Sequence, residues 1–168
     1  MFDNTIIIIL IQVLTTTMAN GQSSHQSITQ NGMTVSWSFD KENIVIEMEA
    51  PTQGWIAIGF NETSELTNTY LIMGAVTNGK AEVKEHHVFK PGDYQSFEAI
   101  GEPESITEVS GSQTSHSTSI QFSLPTSSFF QYSKTLKPNT EITMLIAYSQ
   151  KRDFQHHSIM RTSINVKL

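Results

Sequence analysis

Histidine is the side chain of this sequence best suited to hold a metal or a cofactor, because a neutral imidazole offers a lone pair near neutral pH. Four of the six histidines come as adjacent pairs, His86-His87 and His156-His157. The second pair stands in "RDFQHHSIMRTSINVKL", residues 152–168, at the lip of an alternating run. Neighbouring residues of a regular strand point to opposite faces, so neither pair can bring both rings to one ion from within a strand. Extending the phase of Met160, Ile164 and Val166 backward turns His156 inward and His157 outward, unless a turn near Ser158 resets it. His86-His87, with Glu82 and Glu85 close by, reads first as an exposed polar strand and only second as a weak divalent site. His116 shares a phase with Ile120 and Phe122 and reads as a core-edge histidine without chemistry. No trio of nitrogen and oxygen ligands stands at a spacing such as HExxH, so no metal site is assigned.

Other chemistry is excluded more firmly. The chain contains no cysteine, which removes thiolate metal sites, cysteine nucleophiles and covalently attached haem. Any iron has to be held by His, Met, Asp, Glu or Tyr. There is no G-x-S-x-G elbow, no phosphate loop and no dinucleotide fingerprint, and the acidic residues are spread along polar faces. No catalytic residue is assigned. A net charge of −6 with scattered basic residues argues against a nucleic-acid partner.

The elements that position these residues are strands. "MTVSWSFD" and "IVIEMEA" alternate with period two, apolar on one side and polar on the other. "GWIAIGF" and "TYLIMGAV" are almost wholly apolar, the pattern of strands covered on both faces. Asn78-Gly79 joins "TYLIMGAV" to "AEVKEHHVF" as a tight hairpin, since both residues accept positive φ. Further strands follow around a turn at Gly111-Ser112-Gln113, over 141–149 and over 158–168, while 125–140 reads as a loop with one helical turn. The total is about nine strands in 168 residues, which implies one all-β domain. Its expected architecture is a two-sheet antiparallel, immunoglobulin-like β-sandwich. Trp37 and Trp55 fall in strong strand patterns and read as core, with a ligand platform as the second reading.

The N-terminus has a different character. "IIIILIQVL" (Ile6–Leu14) has the length of a signal-peptide core and is too short to span a bilayer. Ala19 and Gly21 are the small residues that signal peptidase needs for a cut before Gln22, although "MFDNT" has no basic residue. The expectation is a signal peptide over 1–21 and a secreted chain with no transmembrane segment after cleavage. Asn61-Glu62-Thr63 is then a glycosylation sequon, expected in an exposed loop.

Three segments together carry a family resemblance: "GWIAIGFN", "LTNTYLIMGAVTNGKAEV" and "MLIAYSQKRDFQHHSIMRTSINVKL". In this order they resemble the DOMON domain over residues 30–168. That family includes the cytochrome domain of cellobiose dehydrogenase and the modules beside copper monooxygenases and in ferric-chelate-reductase-like proteins. The resemblance implies a β-sandwich that binds a small ligand. One branch holds b-type haem between an axial methionine and an axial histidine, and other branches hold sugars or support a neighbouring domain. His157 matches the family histidine, so it is the candidate axial ligand. At the family methionine position this chain has Leu66, a hydrocarbon, and Met73 is the weaker substitute seven residues further on. Trp55 and Tyr70 are expected to line a pocket between the 61–70 loop and the 154–158 segment. The implied function is a non-catalytic module for a sugar- or haem-class ligand or an extracellular protein partner. A haem b electron-transfer domain and a structural or adhesion module are the alternatives.

Overall fold

Period-two alternation becomes eleven strands in a computed structural model, which describes residues 25–128 and 130–168. The expected signal peptide lies outside the described residues. In chain order the strands are β1 (Gln26–Gln30), β2 (Met33–Asp40), β3 (Asn43–Ala50), β4 (Ile56–Asn61), β5 (Tyr70–Thr77) and β6 (Lys80–Lys90). They continue as β7 (Asp93–Ser96), β8 (Thr107–Gln113), β9 (Thr118–Pro125), β10 (Glu141–Tyr148) and β11 (Met160–Lys167). One sheet has the order β1-β2-β3-β9-β8 and the other β11-β10-β4-β5-β6-β7, with every pairing antiparallel. The all-β two-sheet sandwich is therefore as expected.

The strand count of nine was two short, and both additions are edge strands. β1 is largely exposed, so no buried face imposes alternation on it. It is joined to β2 by Asn31-Gly32, whose φ values of 50° and 81° suit a tight two-residue hairpin. β7 is four polar residues after the Pro91-Gly92 turn, too short to show a period. The helical turn also falls elsewhere than expected: α1 spans Phe97–Ile100, capped by the Ser96 side chain and by Gly101 at φ 76°. The β8–β9 hairpin turns at Thr114–Ser117 rather than at Gly111, and His116 is exposed there instead of lying at the core edge.

The core lies between the sheets. Val35, Trp37, Ile46, Met48, Ile120 and Phe122 of one sheet meet Ile56, Ile58, Phe60, Tyr70, Ile72 and Met144 of the other, all buried. Gly74 lets the two sheets pack closely: a Cβ there would lie 2.7 Å from Ile120 Cδ1. Into this core β6 also turns a carboxylate. Glu85 is fully buried and accepts hydrogen bonds from the Tyr70 hydroxyl, the Ser105 amide, the Ser105 hydroxyl at 2.8 Å and the Ile106 amide at 3.3 Å. A buried charge survives only with such saturation, and here it ties the 101–106 loop to the sheet.

Candidate functional site

Opposite the core, the six-stranded sheet presents an outer face that is apolar instead of polar. The same period that sends Ile56, Ile58, Tyr70 and Ile72 inward sends Ala57, Leu71, Met73, Leu145 and Ala147 outward. Two segments roof this face, the 62–69 loop and the 150–159 loop. Between them lies a cavity of about 390 Å³, within the size range of small-ligand sites. Its floor is those five outward residues, Trp55 and Tyr94 form walls, Leu66 and Thr69 come from the first loop, and His156, His157 and Arg161 from the second and from β11.

The 150–159 loop is held by backbone and side-chain bonds to its neighbours. The Trp55 amide donates to Lys151 O at 2.8 Å, Trp55 O accepts from the Ser149 amide at 2.9 Å, and the indole N–H reaches His156 O at 3.2 Å. Ser149 Oγ donates to His157 O at 2.9 Å, and the Tyr94 hydroxyl donates to Phe154 O. Asp153 accepts from the Gln155 amide and from His156 Nδ1, each at 2.9 Å. The Gln155 amide first, then His156, holds the Asp153 carboxyl below its ordinary pKa. His156 is thus anchored through its ring. The exposed ring of His157 makes no hydrogen bond among the described residues.

The question of which histidine faces the pocket dissolves, because β11 starts only at Met160. Both rings stand on the preceding loop, outside any strand phase, and both line the cavity. Met73 and Leu66, expected far apart along an extended strand, line it together. Trp55 lines it too. Tyr70 does not: it is in phase with Ile72, turns between the sheets, stacks on Phe97 with centroids 5.6 Å apart and donates to Glu85.

Asn61 departs from expectation as well. Residues 62–65 of its loop are exposed, but Asn61 itself is 5% exposed. Its amide nitrogen lies 2.7 Å from Glu65 O, 3.0 Å from Thr67 O and 3.2 Å from Thr69 Oγ1, so it shapes the loop that brings Leu66 to the cavity. A glycan on that nitrogen would leave one N–H for three acceptors. Asn61→Ala is expected to lower stability by about 2 kcal/mol. Thr63→Ala abolishes the sequon and removes only the exposed 3.3 Å hydrogen bond from the Glu65 amide to the Thr63 hydroxyl, so it should shift the melting temperature by no more than about 2 °C. Equal melting of the two variants in thermal denaturation would show that Asn61 does not organise the loop.

His86 and His87 are buried, each 5% exposed, not the exposed strand pair expected. The 150–159 loop covers the outer face above His86, which meets Tyr94 and Phe154 edge-on at 5.7 and 6.1 Å. His87 turns the other way, beneath Tyr132 at 4.2 Å, with its Nδ1 buried and unpartnered. Burial lowers the pKa of both, that of His86 from 6.5 to about 4. Between those two values the unfolded chain carries the His86 proton and the folded chain does not, so stability falls as pH falls. The contribution is complete above pH 6.5 and is lost by about pH 4, a loss of about 3 kcal/mol. Denaturant titrations at pH 7 and 4.5 should show a larger acid loss for the wild type than for His86→Leu. Equal losses would contradict this. No group of three metal-ligating side chains occurs among the described residues.

A two-sheet antiparallel sandwich with an apolar cavity outside its core defines a small β-sandwich module. The DOMON domain matches residues 29–149, more than half of the chain. This chain belongs to the DOMON family. Its structure is similar to that of the cytochrome b domain of pyranose dehydrogenase from Coprinopsis cinerea, with a TM-score of 0.64, 11% identity, and 85% of this chain and 81% of that one covered. It is similar too to the cytochrome domain of cellobiose dehydrogenase from Myriococcum thermophilum, with a TM-score of 0.61, 11% identity and coverage of 86% and 81%. No curated protein matches the chain. The family match ends at Ser149, so the wall carrying His157 and Arg161 lies beyond the matched residues.

Proposed function

We propose that the chain is a non-catalytic module that holds one flat, mainly apolar ligand of the haem class in the outer-face cavity. One observation carries this: the floor of Ala57, Leu71, Met73, Leu145 and Ala147 has no side chain that can hydrogen-bond a sugar hydroxyl. A saccharide lying on this floor would find hydrogen-bonding partners only at the rim, among Thr69, Gln155, Ser158, Arg161 and Ser163, whereas a mainly apolar ring system matches the floor itself. Small residues at 57 and 147 leave the floor low, which suits a planar ring system stacked against Trp55.

The likeness to two cytochrome domains makes haem b the first ligand to test. The side chains fit it in kind. His157 offers an imidazole with no competing hydrogen bond among the described residues, and Met73 is the one thioether in the lining. Leu66 offers no donor. Bound haem would supply one-electron redox chemistry. The chain's own residues would orient it: the floor excludes water, Trp55 N–H fixes the His156 carbonyl, and Ser149 Oγ fixes that of His157. Export of the chain is part of the same reading, supported by the apolar run before Gln22.

Titration with hemin, followed in the Soret region, tests the proposal. The wild type is expected to give a saturable one-to-one shift, weakened at least about tenfold in His157→Ala. Met73→Leu should alter the reduced spectrum if its sulfur also binds iron. No saturable shift in the wild type removes haem b, and an unaltered affinity in His157→Ala removes its histidine.

A further inference from the structure

We propose that the cavity selects ligands carrying a carboxylate, and that Arg161 is the residue that reads it. The inference rests on the reading above that a flat apolar ligand occupies this cavity, and it specifies that ligand's charge. The protein as a whole is acidic, with sixteen Asp and Glu against ten Lys and Arg. The cavity inverts that balance: its lining contains no Asp or Glu, and Arg161 is its one permanent charge.

Position strengthens the case. Arg161 pairs in register with Ala147, a floor residue, and shares the outward phase of β11 with Ser163. Its guanidinium therefore springs from the strand that borders the apolar floor. It makes no ion pair or side-chain hydrogen bond among the described residues. Asp153 of the 150–159 loop is already engaged by His156 and the Gln155 amide, and Glu62 and Glu65 of the 62–69 loop are exposed and outside the lining. An unpaired guanidinium beside an apolar surface is matched by a planar carboxylate, which accepts two parallel N–H bonds and needs no other counter-ion. The hydroxyls of Ser158 and Ser163 on the same rim add donors that a carboxylate accepts. The selected class is then a flat apolar body with a carboxylate at one edge.

Metal-free protoporphyrin IX and its dimethyl ester, titrated by fluorescence into the full chain, separate charge from shape without involving iron. The wild type is expected to bind the diacid about tenfold more tightly than the ester, as one charge-assisted bond at a partly exposed site allows. Arg161→Gln should lose that preference by weakening the diacid alone, Arg161→Lys should keep part of it, and added salt should shrink it. Unchanged melting temperatures of both variants would confirm that the fold is intact. Equal wild-type affinity for the two porphyrins, or an equal loss of both in Arg161→Gln, overturns this proposal alone. Saturable binding of neither overturns the cavity reading and this proposal with it.

Discussion

Replacing Gly54 by alanine is expected to lower stability by about 3–4 kcal/mol and to abolish ligand uptake at the same time. A Cβ at this position would lie 2.1 Å from Ser149 O and 2.6 Å from both Gln150 C and Lys151 N. These are backbone atoms, so no rotamer change relieves the overlap. The crossing is closed from both sides: Trp55 exchanges backbone hydrogen bonds with Ser149 and Lys151, and the Thr52 hydroxyl donates to Ser149 O. Pushing residues 149–151 away breaks these bonds and displaces the loop carrying His156 and His157. Thermal denaturation and the hemin titration should fail together. A Gly54→Ala protein with wild-type melting and undiminished titration would mean that the two segments do not cross this closely.

Glu85→Ala is expected to cost about 4 kcal/mol, because it strands the Tyr70 hydroxyl and the Ser105 and Ile106 amides beside the core without their acceptor. Glu85→Gln should cost about half as much, since its one oxygen can still accept from the Ser105 and Ile106 amides. The Tyr70 and Ser105 hydroxyls must then turn to accept from its NH₂, and charge assistance is lost. The same contact gives an alkaline signature. Burial first, then the Glu85 charge, raises the Tyr70 pKa well above 10.0. The unfolded chain releases that proton near pH 10.0 and the folded chain does not, so stability is complete below that value and declines as pH rises beyond it. Tyr70→Phe should flatten this decline. Denaturant midpoints of the variants at pH 7 and 10.5 measure both effects, and a Glu85→Ala midpoint close to wild type would contradict the first.

Much of the sandwich was legible because a half-buried sheet leaves a period-two trace, and Asn78-Gly79 announced its hairpin in the chemistry of positive φ. β1 and β7 left no trace because edge strands with little buried face have nothing to alternate against. Of the site, His157, Trp55, Met73 and Leu66 were named in advance and share one cavity, while Tyr70 faces the core. The burial of His86 could not be read locally. It results from a loop some seventy residues away folding over the sheet, a long-range contact that no window around "KEHHVF" contains. Arg161 was visible only as a polar position on an alternating strand. Its lack of an ion-pair partner among the described residues, and the absence of Asp and Glu from the lining around it, emerge once the cavity is assembled.

The cavity lies on the far side of the sheet from the interface that drives folding. Occupancy therefore adds a third layer to a completed two-layer body, and the unloaded protein should be a folded species in its own right. If the proposed ligand sits there, conservative exchanges at residues 57, 71 and 147 should retune its fit while the sandwich beneath keeps its cooperativity, which would make this face a socket separable from its chassis.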